Sequence, residues 1–239
     1  MLTEIVKPGQ KIEIVAATQA IMGGNSDKKK IFSSKIYDIL DDEQLEILMP
    51  MDGTKLILLP VDGEYQFCFY TDKGLYQCFV RITDRYKSNN VYLLLCEVTS
   101  PLGKYQRREY YRYACTLPLK TRELMDEELK TIEENQFRMQ VGLPMTRGQI
   151  VDISGGGIRF MAQVSYEPGR QIGISFSLNI HGKETPYELA GEILSSRENE
   201  IHRGNYEHRV KFTAIDNAMR ENIIRFIFEE ERKTRSRRA

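Results

Sequence analysis

The sequence is poor in the residues from which catalytic and metal centres are assembled. It holds three histidines, His181, His202 and His208, and four cysteines, Cys68, Cys78, Cys96 and Cys115. No two cysteines stand at C-x-x-C spacing, so a zinc site is not indicated. All four read as reduced, mostly buried thiols, with Cys68 and Cys78 candidates for neighbouring strands. No G-x-S-x-G elbow surrounds Ser154, and no Gly-Lys-Ser/Thr follows Gly157, which argues against a serine nucleophile and a P-loop. Net charge is also missing. The 34 Lys and Arg balance the 34 Asp and Glu, so nothing draws the whole chain to nucleic acid or to an anionic membrane. Any electrostatic function must be local. No apolar run approaches the ~20 residues that span a bilayer. The first eight residues lack a charged region leading into an apolar one. These absences together predict a cytoplasmic protein that is not membrane-embedded and not an enzyme, with neither metal nor cofactor.

What is present is a succession of short apolar stretches punctuated by turns. A chain of 239 residues suffices for two small domains, each with its own core. Residues 11–14, 32–40, 44–49, 55–59, 64–70, 75–82 and 90–98 read as strands. Asp52-Gly53 is a turn, and Asp72-Lys73-Gly74 is a strong hairpin signal. Many short strands with turn signals between them argue for a small barrel or sandwich. The acidic run Asp41-Asp42-Glu43 reads as a solvated turn. A break falls near residues 99–106. Beyond it, strands are expected at 115–121, 148–153, 157–161, 171–178, 187–195 and 207–212. Residues 122–140 are rich in Glu, Lys, Leu and Met with a partial helical stripe. They read as a helix-prone insertion between the first two strands of the second barrel, or as a loop. Asp216 is placed to cap a helix over roughly 220–232, and residues 232–238 form a basic tail. The domains expected are 1–100, a linker at 101–112 carrying an arginine cluster, and 113–239.

Two segments concentrate the chemistry. Arg107-Arg108-Glu109-Tyr110-Tyr111-Arg112 follows the Pro101-Leu102-Gly103 break, and Asp152-Ile153-Ser154-Gly155-Gly156-Gly157 lies about forty residues later. A guanidinium donates two parallel hydrogen bonds to a phosphate or to the O6/N7 edge of guanine, and its face stacks on rings. Arg108 and Arg112 can therefore converge on one ligand. Asp152 is an acceptor for guanine N1–H and N2–H. Ser154 can donate to a phosphate or accept from a backbone N–H. Gly155, Gly156 and Gly157 permit close approach of the main chain and a positive φ. The set suits a compact dianion that carries purine edges.

These residues resemble the PilZ domain, whose pattern is R-x-x-x-R followed by [DN]-x-S-x-x-G. Here it reads Arg108, Arg112, then Asp152, Ser154 and Gly157, with β-like sequence after Gly157. R-x-x-x-R alone recurs by chance, so the ordered conjunction carries the signal. The resemblance implies that cyclic di-GMP is the ligand, bound by Arg107, Arg108, Arg112, Asp152, Ser154, Gly155, Gly156 and Gly157. A β-rich first half joined to such a domain is similar to the YcgR-like flagellar brake proteins. That likeness implies a mainly β fold: two small antiparallel β-barrels, an N-terminal YcgR-like split barrel and a C-terminal PilZ barrel, with a C-terminal helix. It further implies a ligand-driven change of domain arrangement acting on the flagellar motor, through the stator protein MotA or the rotor switch complex, with recruitment to the flagellar basal body. Alternatives are a cyclic di-GMP-responsive regulator of another process, such as exopolysaccharide production, and a single-stranded nucleic-acid module. The latter fits less well, because the Arg and Tyr residues cluster at one point instead of tracking a groove. An enzyme acting on the dinucleotide would need metal ligands or a paired acid and base, which the sequence does not display.

Overall fold

Period-two alternation builds both halves of the molecule. In Glu64–Thr71 the inward set is Tyr65, Phe67 and Phe69, and in Gln44–Leu48 it is Leu45 and Ile47, all buried. A strand with one apolar face must bury it, and a sheet closed on itself does so without leaving edges. The structure, a computed structural model, describes residues 1–21, 30–133 and 137–236. Residues 134–136 of the expected insertion, and Arg237 and Arg238 of the basic tail, lie outside the described residues. The chain divides into two compact units, Met1–Arg107 and Arg108–Ala239.

The first unit comprises α1 (Leu2–Ile5), β1 (Lys11–Ala16), α2 (Ala17–Ile21), β2 (Ile31–Ile39), β3 (Gln44–Leu48), β4 (Met51–Asp52), β5 (Lys55–Leu56), β6 (Glu64–Thr71), β7 (Gly74–Ser88), β8 (Val91–Val98) and β9 (Gly103–Lys104). The order β6-β1-β2-β3-β8-β7 closes through a β6–β7 pairing into a six-stranded barrel, with β9 added alongside β7. β7 runs well past the expected 75–82. Asn89 and Asn90, both with positive φ, turn it directly into β8 as a two-residue hairpin loop. The expected strand at 55–59 shrinks to β5, which pairs with β4 in a two-stranded sheet. Cys68 and Cys78 do lie on adjacent strands, and all four cysteines are free.

The second unit comprises β10 (Tyr113–Glu123), α3 (Asp126–Glu133), β11 (Thr146–Ser154), β12 (Gly157–Ala162), β13 (Gln171–Ile180), β14 (Lys183–Glu198), β15 (Tyr206–Ala214) and α4 (Asn217–Ser236). Its strands close in the order β10-β11-β12-β15-β14-β13. The fold is thus mainly β, two antiparallel barrels with a C-terminal helix, as the sequence predicts. Ile150, Phe160, Ile172, Ile174, Leu189 and Val210 fill this barrel, and Ile223, Phe226 and Ile227 of α4 join the same core. Each such side chain contributes about 1.5–3 kcal/mol. The Asp216 carboxylate accepts from the Met219 N–H at 2.7 Å, the expected cap. α4 continues to Ser236, beyond the expected end at 232. Lys233 pairs with Glu230 at 2.6 Å and Arg235 with Glu231 at 2.7 Å, so part of the basic tail is helical. Cations in a last turn favour the helix dipole.

The insertion between β10 and β11 has its own anchor. The Arg122 guanidinium grips the Glu128 carboxylate through both Nη atoms, at 2.7 and 2.5 Å. Glu128 also accepts from the backbone N–H groups of Met125 and Gln140. The hydrogen bond from Arg122 pulls the Glu128 carboxyl down to about 2.

Candidate functional site

The site-forming element of the second unit is the β11–β12 hairpin. A β-bulge falls in β11 between Ile150, which faces Phe160, and Asp152, which faces Arg159. Without it, Asp152 would share the inward phase of Ile150. With it, Ile153 takes the core position and the Asp152 carboxylate turns outward, the re-aiming that bulges produce. Arg159 Nε donates to Asp152 Oδ2 at 2.5 Å, and its Nη1 donates to Glu207 Oε2 at 2.9 Å. These bonds hold the Arg159 guanidinium above its usual range, Asp152 foremost. Arg159 faces Arg209 on β15, and Arg209 reaches Glu207 at 3.8 Å. Asp152 is thus oriented by a cation, in a row of alternating charge across the barrel surface. Cys115 is pushed up to about 12 by burial and by the Asp152 charge, so it is no thiolate nucleophile at neutral pH.

One expectation for the glycines does not hold. None of Gly155, Gly156 and Gly157 has a positive φ. Their lack of a side chain answers crowding. A Cβ on Gly157 would lie 2.0 Å from the Val210 carbonyl oxygen. On Gly155 it would meet Tyr110 Cδ1 at 2.7 Å, and on Gly156 it would meet Tyr110 Cδ2 at 3.0 Å. Ser154 is buried and donates to the Gly157 carbonyl at 3.1 Å, closing the turn on itself.

Tyr110 is the centre of Arg108-x-x-x-Arg112, so its ring brings the two sequence motifs together. Arg108 and Arg112 are both exposed. Arg220 on α4 donates through Nη1 to the Tyr110 hydroxyl at 3.2 Å and to the Gly155 carbonyl at 3.0 Å. Its guanidinium lies 5.4 Å from the Tyr110 ring centroid. Arg107 belongs to the first unit. There its Nη1 donates to Glu13 Oε2 at 3.0 Å, and its guanidinium lies over Tyr70 at 5.5 Å. Burial and the hydrogen bond to Glu13 push the Tyr70 hydroxyl up to about 12.

Sequence reasoning missed Tyr110, Arg159 and Arg220. Arg159 was within reach of it, because a hairpin that pairs Ser154 with Gly157 sets Asp152 opposite Arg159 once the bulge precedes both. Arg220 carried no such signal. Among the described residues no group of three or more His, Cys, Asp or Glu could hold a metal ion, and no helix is long and apolar enough to cross a membrane.

A closed antiparallel barrel with an arginine segment packed on its glycine turn and a helix sealing its core defines a class, and sequence comparison gives that class its name. Residues 106–229 match the PilZ domain family, and residues 7–98 match the family described as flagellar protein YcgR. The chain belongs to the PilZ family, in its two-domain YcgR-like form. Among solved structures it is similar to the inhibitor of motility (MotI/DgrA) of Bacillus subtilis, with a TM-score of 0.72 at 16% identity over 96% of this chain and 100% of that one. It also aligns with Escherichia coli YcgR in complex with c-di-GMP, at a TM-score of 0.47 and 15% identity over 96% of this chain and 87% of that one. No curated protein matches the sequence.

Proposed function

We propose that this chain is a cyclic di-GMP receptor, not an enzyme, and that it couples ligand binding to the control of flagellar motility. The observation that carries this reading is the packing of Tyr110, inside Arg108-x-x-x-Arg112, on Gly155 and Gly156, inside Asp152-x-Ser154-x-x-Gly157. Arg108 and Arg112 supply exposed guanidinium forks for phosphate and guanine edges. Asp152, oriented by Arg159, supplies the acceptor for guanine N1–H and N2–H. Membership of the PilZ family, and the match of the first unit to flagellar protein YcgR, support both the ligand and the motility role. The name of the B. subtilis relative, an inhibitor of motility, points the same way.

Among its described residues the first unit holds no group of His, Cys, Asp or Glu that could bind a metal ion, and we read it as an interaction module. On this reading the dinucleotide alters the arrangement of the two units, as far as its affinities for the two arrangements differ. The protein then acts in the cytoplasm on the stator protein MotA or on the rotor switch complex. The test is calorimetric titration with cyclic di-GMP against cyclic di-AMP and GTP. Arg108→Ala and Arg112→Ala are each expected to weaken binding of cyclic di-GMP by about 1–3 kcal/mol, the scale of one bidentate contact. The ligand is expected to be recovered intact. Wild-type affinity in either variant, or turnover of the dinucleotide, overturns the reading.

A further inference from the structure

Residues 105–112 belong to no strand or helix, so no hydrogen-bonded ladder fixes the direction of the arginines. Tyrosines tie this stretch to the glycine turn and to α4. Tyr110 lies on Gly155 and Gly156 and is held by Arg220. The Tyr111 hydroxyl reaches Glu231 Oε1 at 3.4 Å. The Tyr113 hydroxyl lies 3.4 Å from Thr234 Oγ1, and its ring meets Phe226 edge-on at 6.5 Å. Arg220, Glu231, Thr234 and Phe226 are all on α4, which the buried Ile223, Phe226 and Ile227 fix to the barrel.

We propose that Tyr110 and Arg220 form a latch that positions Arg108 and Arg112 before the ligand arrives. This rests on the receptor reading above and goes beyond it in naming what preorganises the site. Binding must order the side chains and backbone that grip the ligand, and a segment already pinned at its centre has less freedom left to lose. Arg220 suits the task because one planar group serves three contacts: the Gly155 carbonyl, the Tyr110 hydroxyl and the Tyr110 ring face. A lysine ammonium has no plane to stack. The latch also explains glycine at 155. Its φ is not positive, and any Cβ there would stand 2.7 Å from the Tyr110 ring and 3.0 Å from Ile224.

The experiment titrates cyclic di-GMP into full-length wild type, Tyr110→Ala, Tyr110→Phe, Arg220→Met and Arg108→Ala. Melting curves and amide exchange of residues 108–112 are recorded on the ligand-free proteins. Tyr110→Ala and Arg220→Met should each raise Kd roughly threefold to tenfold, the ordering of one or two side chains. Each should make the binding entropy less favourable and speed amide exchange at 108–112. Tyr110→Phe keeps the ring on the glycines and should fall between them and wild type. The double variant Tyr110→Ala/Arg220→Met, titrated alongside them, should be no worse than either single one, because both act through the same contact. A purely structural role would lower the melting temperature without this graded rescue or the entropy change. Wild-type affinity in Tyr110→Ala and Arg220→Met overturns the latch. So does tighter binding, which would make Tyr110 an occupant of the ligand's place. Failure of the receptor reading looks different, with no binding by wild type or full binding by Arg108→Ala. If Tyr110→Ala does not fold, Arg220→Met and Tyr110→Phe decide the matter.

Discussion

Gly157→Ala separates two explanations of the last glycine in Asp152-x-Ser154-x-x-Gly157. A methyl group at 157 would stand 2.0 Å from the Val210 oxygen, 3.0 Å from the Val210 carbonyl carbon and 3.2 Å from Lys211 Cα. All three atoms are main chain of β15, so no rotamer change relieves the clash. Contacts between such atoms are comfortable near 3.5 Å, so β12 and β15 must part by roughly 1.5 Å. That movement strikes where Gly157 faces Lys211 and where the Phe212 N–H donates to the Gly156 carbonyl at 3.0 Å. Losing two backbone hydrogen bonds costs about 1 kcal/mol each. The overpacking adds roughly 1–3 kcal/mol, for a total of about 3–5 kcal/mol. This is a large share of the ~5–15 kcal/mol that stabilises a domain. Urea unfolding of wild type and variant, followed by circular dichroism, measures it. A loss below about 1 kcal/mol refutes the strand-crossing argument. If the variant is stable but binds cyclic di-GMP poorly, the glycine serves approach of the ligand instead.

Three other outcomes are expected. His208 is buried against Phe160, and its Nε2 accepts from the Tyr166 N–H at 3.2 Å; burial pushes it down to about 4 from 6.5. Its folded pKa lies below the unfolded one, so its contribution is full above pH 6.5 and fades as pH falls. Stability should drop by about 2 kcal/mol between pH 7 and pH 5, and His208→Gln should flatten that slope; a flat wild-type profile contradicts the burial argument. Arg107 stands beside the arginine pair in sequence and is engaged with Glu13 and Tyr70. Two intercalated cyclic di-GMP molecules per protomer are expected in wild type and one in Arg107→Ala, and a one-to-one endpoint in wild type refutes this. Residues 106–239 alone should bind cyclic di-GMP yet fail to slow swimming at raised cyclic di-GMP. Braking by that fragment, or by full-length Arg108→Ala at equal expression, rules out a ligand-driven two-unit mechanism.

Fold class and the residue types of the candidate site were legible in the sequence, because both depend on local pattern. Alternation at period two with turn signals argues for a small barrel or sandwich, and the family resemblance selects the barrel. Arg108, Arg112, Asp152 and Ser154 in order carry the resemblance to the PilZ family, to which the chain belongs. The Asp216 cap and the apolar stripe of α4 were legible for the same reason. The extent of β7 and of α4 was not, since an Asn89-Asn90 turn and ion pairs in the last helical turns outweigh average tendencies. The arrangement of these residues follows from contacts between distant parts of the chain. The face Asp152 occupies depends on the bulge after Ile150, because one extra residue reverses the phase of every side chain beyond it. The reason for the glycines depends on Tyr110 and Val210, atoms that approach from elsewhere in the chain. Arg220 acquires its place from the packing of α4 on the barrel core, a long-range contact that no local pattern encodes.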